Sequence, residues 1–276
     1  MSRVAKQFSG YGQQDAQEFL RFLLDGMHNE LNRIETKPKY KEIDCDTKSI
    51  EEQSATWAKY FAERDNSIIT DLFEGQLCSK IECQKCHHKS YTFDNFMDLS
   101  VSIPRKAVRY TGYVDIDECL RTFVAPEAME RCGYKCSKCK AVDDMEKDMT
   151  IFRFPKILVI HLKRFYNSTM RREKLSTTVN IPTKLDMRTY APYSSKYTFS
   201  SFSHPFPPSE HHSASNAGQY KLYGISHHSG TLYGGHYIGE AMNLDDGTWY
   251  MCNDSRCSKQ SSADTNSASA YVLFYI

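Results

Sequence analysis

Four cysteines stand as two Cys-x-x-Cys pairs, Cys83/Cys86 and Cys136/Cys139. A tight turn carrying such a pair presents two thiolates, half of a tetrahedral zinc site, and two such turns complete it. Gln, Lys and His lie beside Cys83, and Gly, Lys and Ser beside Cys136, as knuckle turns tend to have. Residues 87–135 separate the pairs, so an excursion of chain is expected between the knuckles. With all four positions filled by protein ligands, the expected Zn2+ is structural rather than catalytic. Four buried thiols, or a redox pair, is the plainer alternative. His87, His88 and Cys132 are candidate substitute ligands, read here as bystanders.

A second constellation lies near the C-terminal end. Gly230-Thr231-Leu232-Tyr233-Gly234-Gly235-His236-Tyr237 places glycines before a histidine at the start of a strand pattern. Glycines permit a mobile loop and close backbone approach by a ligand, and a histidine fixed at a strand start is placed for general-base work. Trp249-Tyr250-Met251-Cys252-Asn253-Asp254-Ser255 follows. An Asn or Asp at that strand end can orient the second ring nitrogen of a histidine, as in Cys-His-Asn/Asp triads. Taken singly, the first motif is a surface loop and the second a good turn.

These groups need elements to hold them. Asp15 to Ile34 carries Phe19, Leu20, Leu23, Leu24, Met27, Leu31 and Ile34 at helical spacing, with Asp15 and Glu18 at a capping distance. Lys37 to Glu52 reads as a charged loop, Ser54 to Arg64 as a second helix, and Ile68 to Gly75 as a lead into a strand. Strands are expected at Gln76–Ile81, Lys89–Phe93, Leu99–Ile103, Lys147–Arg153, Ile157–Phe165, Gln219–His228, Gly235–Met242, Trp249–Asn253 and Ala270–Ile276. Tyr190 to Gly218 is rich in Ser, Pro, His and Tyr and reads as a flexible loop; Ser258 to Ser269 is a shorter Ser-rich stretch. Helices first and antiparallel strands after give an α+β class.

The chain has 276 residues, 40% hydrophobic and 25% charged, which suits one large globular domain. A net charge of +1 gives no case for nucleic acid or an anionic membrane. No secretory signal is visible near Met1, and no apolar run is long enough to span a bilayer. The six remaining cysteines (Cys45, Cys78, Cys119, Cys132, Cys252, Cys257) have no framework spacing and are expected as reduced thiols.

Six motifs in order carry a resemblance to a known family. Gly10-Tyr11-Gly12-Gln13-Gln14-Asp15-Ala16-Gln17-Glu18-Phe19-Leu20 resembles the glutamine box of the ubiquitin-specific proteases. Phe154 to Phe165 is similar to their central palm strand, Tyr223 to Tyr237 to their histidine box, Trp249 to Ser255 to the strand bearing the third catalytic residue, and Ala270 to Tyr275 to their closing strand. The two Cys-x-x-Cys pairs sit where that family's fingers bind zinc. The resemblance implies a papain-like thumb, palm and fingers fold in one catalytic domain: a thumb remnant over 1–75, mainly fingers over 76–153, and mainly palm over 154–276, with a flexible loop near 190–218. It implies a cysteine-type deubiquitinase, hydrolysing the bond at the C-terminal glycine of ubiquitin. His236 would be the base, Asn253 its orienter, and Asp254 an assisting or polarising group. Asp15 and Glu18 would meet the arginine-rich tail of ubiquitin, beside Gly235 and Tyr237, and residues 230–235 would form a loop over that tail. The implied partners are ubiquitin and ubiquitinated proteins, met by a monomer in the cytoplasm or nucleus.

In the family the nucleophile's cysteine box lies upstream of the glutamine box, whereas here the first cysteine is Cys45. The chain is therefore expected to be N-terminally truncated, inactive by itself for want of the nucleophile, and exposed over part of the Phe19, Leu23 and Met27 helix face. The alternatives are a non-catalytic ubiquitin-binding protein and a zinc-knuckle interaction module.

Overall fold

A computed structural model describes residues 5–10, 12–43, 45–130, 133–142, 144–167, 172–192, 217–231 and 234–276. Most of the 190–218 stretch, the tip of the 230–235 loop and Cys132 therefore lie outside the described residues. Among the described residues no helix is long and apolar enough to cross a membrane.

Helix α1 (Ala16–Glu30) starts where Asp15, in extended backbone, accepts hydrogen bonds from the N–H groups of Gln17 at 2.8 Å and Glu18 at 3.2 Å. The apolar period continues to Ile34, yet the helix stops at Glu30. Asn32 Oδ1 accepts from the backbone N–H of both Ile34 and Asn66 at 3.0 Å, which turns the chain away. Leu24 points inward, while Leu23, Met27 and Leu31 are 40%, 41% and 49% exposed, so much of the expected open face is indeed open. Phe19 departs from that expectation, since Phe8 packs edge-on against it at 5.3 Å.

Helix α2 (Ile50–Ala62) begins a turn earlier than expected, because Ser49 and Glu52 form a reciprocal capping box. Helix α3 (Ile68–Phe73) occupies residues read as the approach to a strand. Ser67 and Thr70 cap it in the same reciprocal way, a local signal that outweighs the apolar pattern.

A four-stranded antiparallel sheet follows, built from β1 (Gly75–Cys83), β2 (Lys89–Phe96), β5 (Glu127–Met129) and β6 (Met145–Arg153), in the order β2-β1-β6-β5. Phe93 and Phe152 meet edge to face at 5.2 Å inside it, and Trp57 of α2 packs over them.

The larger sheet has eight strands: β3 (Leu99–Ser102), β7 (Leu158–Lys163), β11 (Lys184–Asp186), β12 (Gln219–Gly230), β13 (Gly235–Met242), β14 (Trp249–Asn253), β15 (Arg256–Gln260) and β17 (Ala270–Tyr275). Their order is β15-β14-β13-β12-β17-β7-β3, with β11 on β12; only β3 and β7 run parallel. Short strands β4 (Tyr113–Asp115), β10 (Thr178–Asn180) and β16 (Asn266–Ser267) form a third sheet, and β8 (Phe165–Asn167) pairs with β9 (Arg172–Lys174). One face of the large sheet buries Val101, Ile160, Leu162 and Leu273 with Leu120 of α4 (Ile116–Val124). Around Val159, Tyr271 and Val272 it meets Ala16 and Leu20 of α1.

The strand expected over Ile157–Phe165 is broken at Arg164, whose side chain is fully buried. Its guanidinium donates to the carbonyls of Ala270 (2.6 Å), Leu175 (3.0 Å), Thr177 (2.8 Å) and Ser267 (3.1 Å). Four carbonyl dipoles offset the cost of burying that charge.

One sequence expectation is corrected. Cys252 and Cys257, read as reduced thiols, are joined as a disulfide. The Ser-rich stretch after Asp254 begins with β15, so the two cysteines face each other across a hairpin, a five-residue spacing with no helical or framework pattern.

Candidate active site

Gly235 and His236 open β13, opposite Gly230 and Ser229 of β12. The glycine is a steric requirement: a Cβ there would stand 2.1 Å from His228 Nε2 and 2.6 Å from Ser229 O. Gly230 has φ +114°, which an L side chain avoids, and a Cβ would stand 2.4 Å from Gly234 O. Bare backbone therefore delivers His236 to the sheet end, half exposed.

The neighbouring strand β14 pairs Cys252 with Gly239. Continued one step, that register sets Asn253 opposite Ile238, on the same face as His236. The two side chains meet: His236 Nε2 lies 2.6 Å from Asn253 Oδ1. The amide oxygen only accepts, so Nε2 carries the proton and Nδ1 becomes the nitrogen able to take one. Asp254 follows at φ +50°, a conformation Asp tolerates better than most residues, and places Oδ2 3.9 Å from His236 Nε2. An imidazole, an amide oxygen that fixes its tautomer and a nearby carboxylate thus stand together. Cys252, one residue earlier on the strand, faces the other way and is bonded to Cys257.

Asp15 lies across from this centre and is committed within the fold. One oxygen caps α1, and the other accepts a hydrogen bond from the Tyr271 hydroxyl. Burial, with Asp15 beside it, raises the pKa of Tyr271. Glu18 stands exposed one turn further along α1. The Tyr237 hydroxyl accepts from the Ala16 N–H at 3.3 Å, and burial pushes its pKa up to about 12. The structure thus brings His236, Asn253 and Asp254 together, and groups Asp15 with Tyr237 by way of Tyr271 and Ala16.

Sequence reasoning missed the layer between these groups. Gln13 Oε1 accepts from the Gly235 N–H at 3.1 Å. The rings of Phe165, His228, Tyr237 and Tyr271 pack edge-on or tilted at centroid distances of 4.7–6.2 Å. Burial, with Lys174 nearby, lowers the pKa of His228. The run of aromatic residues at these positions was the available signal, but nothing in their spacing links strands so far apart in sequence.

The two Cys-x-x-Cys turns also meet. In each, the first cysteine's carbonyl accepts from the N–H four residues on: His87 N–H to Cys83 O at 2.8 Å, and Lys140 N–H to Cys136 O at 3.0 Å. His87 and Lys140 both adopt positive φ, so the knuckles are near copies. Sγ–Sγ distances are 3.8 Å for Cys83–Cys139 and 3.6 Å for Cys86–Cys136, and all four sulfurs lie within 4.8 Å of one another. A tetrahedron with metal–sulfur bonds of about 2.3 Å has edges of roughly 3.8 Å, so the cluster is sized for a metal ion. The N–H groups of Cys139 and Lys138 are directed at Cys136 Sγ and lower that thiol's pKa, while hydrogen bonding with Cys139, Cys136 and Cys83 raises that of Cys86.

Residues 1–275 match the family model described as ubiquitin carboxyl-terminal hydrolase. The chain is 40% identical over 277 residues to ubiquitin carboxyl-terminal hydrolase 2 of Gallus gallus, covering all of this chain and 71% of that protein. It is 40% identical over 280 residues to the Homo sapiens protein of the same name, covering 42% of that one. Among solved structures, it is similar to the Ubp8 deubiquitinating module of SAGA bound to monoubiquitin, with TM-score 0.71, 28% identity, 99% of this chain and 50% of that one. The same module bound to ubiquitin aldehyde matches with TM-score 0.69 and 28% identity, over 99% of this chain and 51% of that one. The chain thus spans less than half of the human relative and about half of the solved chains.

Proposed function

The chain belongs to the ubiquitin carboxyl-terminal hydrolase family, and on that footing we propose that it is the His/Asn half of a cysteine-type deubiquitinase active site, together with much of its ubiquitin-binding surface. The observation that carries this reading is the 2.6 Å contact between His236 Nε2 and Asn253 Oδ1, which fixes the ring with Nδ1 available as the base. In the reaction, Nδ1 takes the proton of a cysteine thiol, and the thiolate attacks the carbonyl of the C-terminal glycine of ubiquitin. His236 then returns the proton to the leaving amine, and water releases the thioester. Asn253 holds the ring throughout, and Asp254 stabilises positive charge on it.

The described cysteines leave little room for a nucleophile among themselves. Four gather at the knuckles, two are bonded to each other, and Cys45, Cys78 and Cys119 are buried. Burial pushes the Cys78 and Cys119 thiols up to about 12, far from thiolate chemistry. None of these described cysteines is the proposed nucleophile, Cys132 lies outside the described residues, and the proposal is that this 276-residue chain alone binds ubiquitin without cleaving it. Loss of the nucleophile from comparable triads costs on the order of 10⁶ in rate. Structural Zn2+ is assigned to Cys83, Cys86, Cys136 and Cys139. Asp15 and Glu18 supply negative charge for the arginine-rich ubiquitin tail.

Ubiquitin carrying a thiol-reactive group at its C-terminus tests the reading. Binding of plain ubiquitin, with no covalent adduct to the reactive form, is the expected pair of results. An adduct that disappears in His236→Ala overturns the inactivity of the chain, and absence of ubiquitin binding overturns the ubiquitin reading altogether.

A further inference from the structure

The β14–β15 hairpin carries chemistry that the proposed hydrolysis does not use. Its turn is Asp254–Ser255, with Asn253 paired to Arg256 and Cys252 to Cys257. The two Cys Cα atoms are 4.2 Å apart and the sulfurs are bonded. Cys257 is exposed and Cys252 half-buried, so a small thiol reagent reaches the pair from solvent. β15 is the outer strand of the eight-stranded sheet, held on one side only, by β14. The turn it closes carries Asp254, a non-glycine residue at positive φ, and follows Asn253, and these are the two groups that face His236. A cross-link beside such a turn removes the fraying that an edge strand otherwise permits.

We propose that Cys252 and Cys257 form a reversible thiol–disulfide modification site, closed by a low-molecular-weight disulfide such as oxidised glutathione, and that closure clamps Asn253 and Asp254 against His236. One thiol loses its proton and attacks a glutathione sulfur, breaking that S–S bond and releasing one glutathione thiolate. The second protein thiolate attacks the protein sulfur of the mixed disulfide and releases the other glutathione. Two protein thiols are oxidised to one disulfide, one glutathione disulfide is reduced to two thiols, and the protons pass to the leaving thiolates. The remaining described cysteines stand apart from this exchange: four are gathered at the knuckles and three are buried. The pairing rests on strand register and goes beyond the proposed function; only its effect on hydrolysis rests on that reading.

The test uses the full chain equilibrated at a series of oxidised-to-reduced glutathione ratios, quenched in acid, alkylated and mapped by mass spectrometry. A peptide linked through Cys252 and Cys257 should appear as the ratio rises and vanish on reduction. Independent alkylation of both residues at every ratio, or two separate glutathione adducts, overturns the site. In parallel, ring signals of carbon-13-labelled His236 should be sharp in the oxidised chain and broadened in the reduced one. The double variant Cys252→Ala/Cys257→Val should resemble the reduced chain at every ratio. Identical His236 signals in the two redox states overturn the clamp, and a redox-dependent change that persists in the double variant assigns it elsewhere. Neither readout involves ubiquitin, so failure of this proposal and failure of the hydrolase reading are told apart.

Discussion

Gln13 accepts a hydrogen bond from the Gly235 N–H at 3.1 Å, joining groups 222 residues apart in sequence. The contact stands one residue from His236 and ties the segment before α1 to the first residue of β13. Its partner on the other side is the Ala16 N–H to Tyr237 hydroxyl bond, so His236 is gripped on both flanks.

Gln13→Leu should release the first flank. A neutral hydrogen bond of this kind contributes about 1 kcal/mol, which corresponds to roughly fivefold faster exchange of the Gly235 amide proton. Gln13→Glu keeps an acceptor oxygen and should restore protection. Amide exchange followed by NMR reads both, and an unchanged Gly235 rate in the leucine variant would show that the contact is not made in solution.

The tetrahedral spacing of Cys83, Cys86, Cys136 and Cys139 predicts one zinc per chain. Metal analysis of purified protein checks the count; a well-folded, metal-free protein contradicts it. Cys136→Ser should unfold the ends of β1 and β6 locally while the large sheet stays intact, since structural zinc contributes directly to folding. Proteolysis near residues 84–88 and 136–142 is the readout.

Glu18→Arg should weaken ubiquitin binding about tenfold or more, by replacing an attractive charge with a repulsive one at the tail. Stability should barely change, because Glu18 is exposed. Asp15→Ala behaves differently. It removes the α1 cap and the acceptor of the Tyr271 hydroxyl, so it should also cost on the order of 1–2 kcal/mol of stability. Calorimetric titration and thermal melts separate the two effects, and equal binding by wild type and Glu18→Arg would move the tail elsewhere.

Glu74 gives a pH signature. Burial, opposed by a hydrogen bond with Asn95 and reinforced by the charges of Asp65 and Asp71, pushes its pKa up to about 7. The folded chain then holds a proton that the unfolded chain has lost, so Glu74 draws down stability as pH rises from about 4.5 to 7. Glu74→Gln should flatten stability across that window and stabilise the protein at pH 7 by on the order of 2 kcal/mol. Denaturant melts at several pH values measure it, and parallel curves for the two proteins would contradict it.

Much of this was legible in the sequence, for reasons that differ by residue. His236 and Asn253 were candidates only as a pair, since each motif alone reads as a loop or a turn, but β13 and β14 begin and end where alternation says. The knuckles were legible because each is a self-contained turn. What escaped depends on partners distant in sequence. Gln13 reads as a polar residue until Gly235 arrives beside it. Arg164 lies in an apolar run where a charge looks like a surface break, and only four converging carbonyls explain its burial. β15 hides in a Ser-rich stretch because an edge strand needs little apolar content, and with it the Cys252–Cys257 pairing was invisible.

The position of β17 has a consequence for how the chain is made. Ala270–Tyr275 lies in the middle of the large sheet, between β12 and β7. A ribosome delivers it after every other strand of that sheet. Until then β3-β7 and β12-β13-β14-β15 are separate pieces, each with an open, hydrogen-bond-hungry edge, and the carbonyls of Ser267 and Ala270 have not yet reached Arg164. The sheet thus keeps open strand edges until β17 closes the gap, and deletion of these few residues would divide the sheet rather than shorten it.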